Sequence, residues 1–199
     1  MLNACPPGLR CILQVMTKTG LRVGEALAIC EAHIDLEART LRVPTGNLYC
    51  NKRRGLKLIH MDTELWVIIR RQLRLRRVRP GVTALFTNRF GKAYSPKSGK
   101  QDINKAMQKA ATRAGLQDDN TPPRQRVTPH CMRRWFSNQI GAQDLGGVAL
   151  GMQLLLRGDK LPGALSRYLD QPALAAPLWR QYMPRLPHQA PSLDPNPTK

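Results

Sequence analysis

Three separated stretches of this sequence carry side chains suited to holding a phosphodiester and attacking it without a metal. They are TGLRVGE around Arg22, TPHCMRR with His130 and Arg133, and LLLRGDKLPGALSRY ending at Tyr168. Attack on phosphorus builds negative charge on the non-bridging oxygens. Guanidinium groups match two such oxygens with paired donors and stay charged at any working pH. Arg133 follows His130 by three residues, so on a helix both project from one face. Thr128 and Pro129 come just before His130 and place it at a helix N-terminus rather than in an apolar stripe. There a near-neutral imidazole can accept or donate a proton. Arg22 lies just past Gly20, at the start of a predicted helix whose N-terminal dipole also favours an anion. The plainer reading of Arg22 is a surface salt bridge with Glu25. A tyrosine phenol, with a pKa of about 10, attacks only where a base or nearby cations favour phenolate. Arg22, Arg133 and Lys52 would supply that field for Tyr168, whose plainer role is packing.

The bulk charge points the same way. Thirty-two Lys+Arg stand against 13 Asp+Glu, a net charge of +19, with a pI near 10.8. So basic a globular chain works on a polyanion, with nucleic acid the leading candidate. Arg70, Arg71, Arg74, Arg76 and Arg77 share one predicted helix, either as a solvated basic face or as phosphate contacts. We assign Arg70, Arg71 and Arg74 to DNA binding. The five cysteines are scattered, with no CxxC pair, which fits free thiols in a reducing cytosol better than a zinc site. The N-terminus has no signal-peptide pattern, and no apolar run reaches membrane-spanning length. A cytoplasmic chain is expected, or one in the host cytoplasm or nucleoid if it is viral.

These residues need elements to position them. Apolar spacing predicts a helix over 9–19 that stops at Gly20, and a second from Arg22 to Cys30. Two short strands flank a Gly/Asn/Lys-rich turn at 45–55. Asp62 or Thr63 caps a helix over 65–77. Residues 87–101 read as a loop, and 102–114 as a helix closed by Gly115, with Ile103, Met107, Ala110 and Ala114 on one side. A helix carrying His130 follows. The expected domain covers 1–186, and the tail 187–199 is expected to be disordered.

The three blocks, in this order, resemble the catalytic domain of the tyrosine recombinase, or phage integrase, family, over residues 9–170. TGLRVGEAL followed by HIDLEARTLRV is similar to the family's helix-to-strand passage. LFTNRFGKAYS and INKAMQKAATRAGL resemble the loop and helix before its second motif. The RGDK form of the last motif resembles archaeal and archaeal-virus integrases. The resemblance implies an α+β, mainly helical fold with a small, three-stranded antiparallel sheet at one edge. It implies a site-specific DNA recombinase that cleaves and rejoins strands through a 3′-phosphotyrosine, with no metal and no cofactor. Its catalytic set would be Arg22, Lys52, His130, Arg133, Asp159 and the nucleophile Tyr168, with Glu25 supporting Arg22. Tyr49, Tyr94 and Tyr182 fall outside the motif frame. Lys52, eight residues before His60, takes the place of the family's general acid. Lys57, on the returning strand, stays its rival, and His60 reads as a strand residue.

Implied partners are double-stranded DNA, further copies of the chain in a tetrameric synapse, and accessory DNA-bending proteins. Residues 173–186 would form a helix, with Leu174, Leu178 and Trp179 as anchors on a neighbouring subunit or in cis. Two features depart from the family. Asp159 stands where a histidine is usual, and a carboxylate there repels phosphate unless it is protonated or turned toward an arginine. The N-terminal helical domain of about 80–100 residues, an ordinary small-domain size, is missing ahead of the catalytic part. The competing expectation is a catalytically impaired, truncated integrase remnant that only binds DNA. A topoisomerase-like enzyme and a nucleic-acid packaging protein are further alternatives.

Overall fold

The computed structural model describes residues 1–44, 49, 56–142 and 183–186. Lys52, Asp159, Tyr168, most of the 45–55 turn and the 187–199 tail lie outside them.

Helix α1, Pro7–Thr19, is the hub. Ile12, Leu13, Val15 and Met16 are at most 1% exposed, and the helix packs against α2, α3, α4 and α5. A helix covered on nearly every side must bury its polar residues too, so these need partners. Lys18 is fully buried. It donates to Asp62 at 2.5 Å and Glu64 at 2.8 Å, both at the start of α3. Gly20 ends α1 in the left-handed conformation, with φ +63°, and its N–H returns to Met16. A Cβ on Gly20 would come within 2.4 Å of the Phe136 ring, so both backbone and packing call for glycine.

Helix α2 runs only Val23–Leu27, shorter than the expected Arg22–Cys30. The chain beyond it is claimed by distant backbone. Leu85 N–H donates to Ile29, Glu31 N–H to Thr83, and Cys30 bridges Ala84. The sheet has three strands, as the resemblance implies and one more than patterning alone predicts, in the order β1 (Ile34–Asp35), β2 (Thr40–Pro44), β3 (Leu56–His60), all antiparallel. A two-residue edge strand is too short to show alternation in sequence. Leu41, Val43 and Ile59 face the core with no exposure.

Helix α3 (Thr63–Leu75) takes Asp62 as its N-cap, which accepts from Leu65 N–H at 2.8 Å. It stops two residues before the expected Arg77. Helix α4 (Gly99–Arg113) starts inside the expected loop and buries Ile103, Met107, Ala110 and Ala111. Ala114 is its C-cap and only half-buried. Helix α5, His130–Ala142, begins at the expected histidine and buries Arg133, Phe136 and Ile140. Residues 183–186 form no helix, and 173–182 of the expected C-terminal helix, with Leu174, Leu178 and Trp179, lie outside the described residues. Met183 and Leu186 are buried, and Leu186 N–H donates to Glu64 at 3.3 Å. No helix among the described residues is long and apolar enough to cross a membrane.

Candidate active site

Among the described residues, Arg22 and Arg133 come together at the turn between α1 and α2. Arg22 is the N-cap of α2. Its backbone N–H donates to Glu25 Oε2 at 2.8 Å, and its Nη1 to Glu25 Oε1 at 3.0 Å. One carboxylate thus fixes both the backbone and the head group of the same arginine. The Glu25 side chain is 5% exposed, while that of Arg22 is 44% exposed. The acid is sunk in the protein and the arginine presents its outer face. The spacing fits the expected supporting role of Glu25 as well as a salt bridge, because here the two are one arrangement. The expected helix-dipole contribution shrinks, since α2 is barely more than one turn and the macrodipole needs aligned peptides.

Arg133 comes to the same turn from α5. It is 3% exposed, and its Nη1 donates to Gly20 O at 2.6 Å. That bond uses one of five guanidinium donors, and it places the Arg133 head two residues from Arg22 in the chain. His130, one turn earlier on α5, is exposed. The two residues therefore share a helix but differ in burial: the histidine is exposed at the start of α5, and the arginine is buried against the Gly20 turn.

A third cation reaches the turn, one that residue patterning alone leaves undecided. Lys57 lies on β3 opposite Val43 and is 7% exposed. Its Nζ donates to Thr19 O at 3.3 Å. Thr19 and Gly20 are adjacent, so two cations from two elements hold consecutive carbonyls at the end of α1. Helix carbonyls at a C-terminus lack intrahelical partners, and cations suit them.

Two tyrosines of this chain can be compared with the proposed nucleophile. Tyr49 donates to Tyr94 O at 2.7 Å, and burial pushes its phenol pKa up. Burial, with Asp102 nearby, also raises that of Tyr94. Both shifts disfavour the phenolate. Cys5, Cys11, Cys30 and Cys131 are free thiols. Burial pushes Cys11 up to about 12, so it is inert.

The α3 arginines spread apart. Arg70 stacks on Trp66 at 5.0 Å, next to Arg39 at 5.4 Å. Arg71 lines a groove of about 1670 Å³ between α1 and α3 that also holds Met183 and Leu186. Arg74 is exposed. Arg76 is structural, bonding Glu31 and the carbonyl of Ala84. A second cluster of cations, absent from the expected site residues, is formed where a depression that also holds Asp118 and Asp119 is lined by Arg126 and by Lys105, Lys109 and Arg113 of α4. Their spacing of four along a helix is the signal in sequence that could have found it.

The fold is that of tyrosine recombinase catalytic domains. The phage integrase family profile matches residues 2–144, and the chain belongs to that family. An integrase of the transposon Tn1549, solved with transposon right end DNA, has a similar structure. Its TM-score is 0.60 at 16% identity, over 85% of this chain and 56% of that one. XerA recombinase gives 0.58 at 20% identity, over 93% and 61%. The integrase of mycobacterium phage Brujita gives 0.57 at 18%, over 89% and 52%. The chain thus spans between half and three-fifths of these structures. No curated protein sequence matches it.

Proposed function

We propose that the chain is the catalytic part of a site-specific DNA recombinase that cleaves and rejoins strands through Tyr168. The observation that carries this reading is the meeting of Arg22 and Arg133 at one turn, Arg22 on buried Glu25 and Arg133 on Gly20 O. Guanidiniums fixed before substrate arrives stabilise developing charge without reorganising, which is the main source of electrostatic catalysis. In this reaction Tyr168 Oη bonds to phosphorus at the scissile phosphate, and the bond from phosphorus to the 5′-oxygen breaks. Lys52 gives the leaving oxygen its proton, so the products are a 3′-phosphotyrosine and a 5′-hydroxyl. Arg22 and Arg133 bind the non-bridging oxygens. His130, at the exposed start of α5, accepts the proton that the Tyr168 phenol gives up. Asp159 is tolerable if it turns toward one of the arginines. The step needs no net redox change, and the bond energy is kept for ligation to another strand.

Double-stranded DNA is the proposed partner, as the +19 charge supports. Further copies of the chain would pair the two sites. One specific feature favours a second reading, a remnant that binds DNA without cutting it: Asp159 puts a carboxylate where the chemistry wants a donor. The two readings separate on a denaturing gel. Nicked duplexes from DNA flanking the gene are incubated in EDTA with the wild-type and Tyr168→Phe proteins. A covalent adduct lost in Tyr168→Phe supports the recombinase. Tight salt-sensitive binding without an adduct supports the remnant.

A further inference from the structure

We infer that Lys57 is a positioning residue, which holds the α1–α2 turn so that Arg22 points at the scissile phosphate; this rests on the reading of Arg22 as catalytic. Leu41, Val43 and Ile59 occupy the core-facing positions of β2 and β3 around it and are fully buried. A lysine in that row costs desolvation that an aliphatic residue would not. Something must offset it, and the bonds to the end of α1 are one element of that return. Lys57 Nζ reaches Thr19 O at 3.3 Å, and Arg133 Nη1 reaches Gly20 O at 2.6 Å.

The turn between these carbonyls and Arg22 also has local anchors: Gly20 N–H returns to Met16 O at 2.8 Å, and Leu21 is fully buried. Gly20 has no side chain. The Thr19 hydroxyl donates back to Val15 at 2.6 Å and takes the Leu21 N–H only at 3.4 Å. The carbonyls of Thr19 and Gly20 are held from outside, by β3 on one and α5 on the next. From Thr19 to Arg22 is three residues, so a tilt of the Thr19 peptide is carried directly into the arginine. Displacement of a reacting group by about 1 Å can cost on the order of 10²-fold in rate. Lys57 thus does different work from a general acid. It fixes the arginine, and the proton for the leaving oxygen comes from elsewhere.

The distinction is testable because a sulfur leaving group needs no proton. Single-turnover cleavage is measured with ordinary nicked duplex and with duplex carrying a 5′-bridging phosphorothiolate, using wild type, Lys57→Met, Lys57→Arg, Lys52→Met and Arg22→Ala. Lys57→Met should lose on the order of 10²-fold on both substrates, with Lys57→Arg recovering most of it. In the Arg22→Ala background, Lys57→Met should add little. Rescue of Lys57→Met by sulfur would overturn the inference and make Lys57 the acid. Additive losses with Arg22→Ala would overturn it as well.

Amide hydrogen exchange gives a readout independent of activity. Lys57→Met should speed exchange over residues 19–25 and leave α4 unchanged. If Lys57→Met does not fold, Lys57→Gln replaces it in every arm. If wild type forms no adduct on either substrate, the recombinase reading fails, while unchanged exchange over 19–25 would still refute the role of Lys57.

Discussion

Arginine is used in two opposite ways in this molecule. At the α1–α2 turn, Arg22 is clamped by Glu25 and Arg133 by a backbone carbonyl, with Lys57 on the neighbouring peptide. Along α3, Arg70 leans on Trp66, Arg71 faces a groove, Arg74 is exposed and Arg76 is consumed within the fold. The first set is fixed at one point by three elements. The second is spread over one helix. Fixed cations are suited to a transition state, whereas spread cations are suited to a long anionic backbone whose register they need not define. Sequence counts both sets as basic residues, and only their surroundings separate them.

That contrast can be pressed experimentally. The largest effect should come from Arg22→Ala, which removes a preorganised donor. Its single-turnover cleavage should fall by roughly 10²–10³-fold, while DNA affinity shifts little. A change in affinity alone would put Arg22 in the same class as α3. Next is Gly20→Ala, which adds a left-handed alanine and drives a Cβ to 2.4 Å from Phe136. Urea unfolding should show a loss of about 2–4 kcal/mol, and wild-type stability would contradict the packing of the turn. Arg71→Ala and Arg74→Ala should each lower the salt slope of DNA binding by about 1 and leave the cleavage step of bound complex unchanged. An unchanged slope would mean that the α3 face is only solvated.

The smallest effect concerns pH. Cys11 is raised to about 12 by burial, from 9.0. The folded state therefore keeps the thiol neutral over a range in which the unfolded chain ionises it. Its contribution to stability is complete below pH 9 and is lost as pH rises toward 12. Cys11→Ala, compared by thermal unfolding across that range, should flatten the decline.

The parts of the fold readable in sequence are those with local signals. Gly20 stops α1, Asp62 caps α3, and Pro129 precedes the start of α5. Each works through the residue's own backbone or side chain, so a single sequence carries it. The parts that escape depend on distant strands. Helix α2 ends early because residues 29–31 bond to residues 83–85. Strand β1 is two residues whose register exists only against β2. The same divide runs through the site. Arg22 and Glu25 are three residues apart, and sequence pairs them. Arg133 on Gly20 spans 113 residues, and no periodicity announces it. Lys57 is visible as a strand lysine, but its core-facing side follows only from the pairing of Val43 with it. Lys52, Asp159 and Tyr168 lie outside the described residues, and their roles rest on motif and chemistry.

The most direct measurement is single-turnover cleavage of a nicked duplex at saturating protein, in EDTA, for wild type, Arg22→Ala, Arg133→Ala and the Arg71→Ala/Arg74→Ala pair. Affinity is measured on the same DNA. If the turn arginines serve the chemistry, Arg22→Ala and Arg133→Ala lose adduct formation by roughly 10²-fold or more with near-native binding, and the α3 pair shows the reverse. Equal losses of binding in all three variants, with the cleavage step of bound complex intact, would contradict the division between the turn and α3.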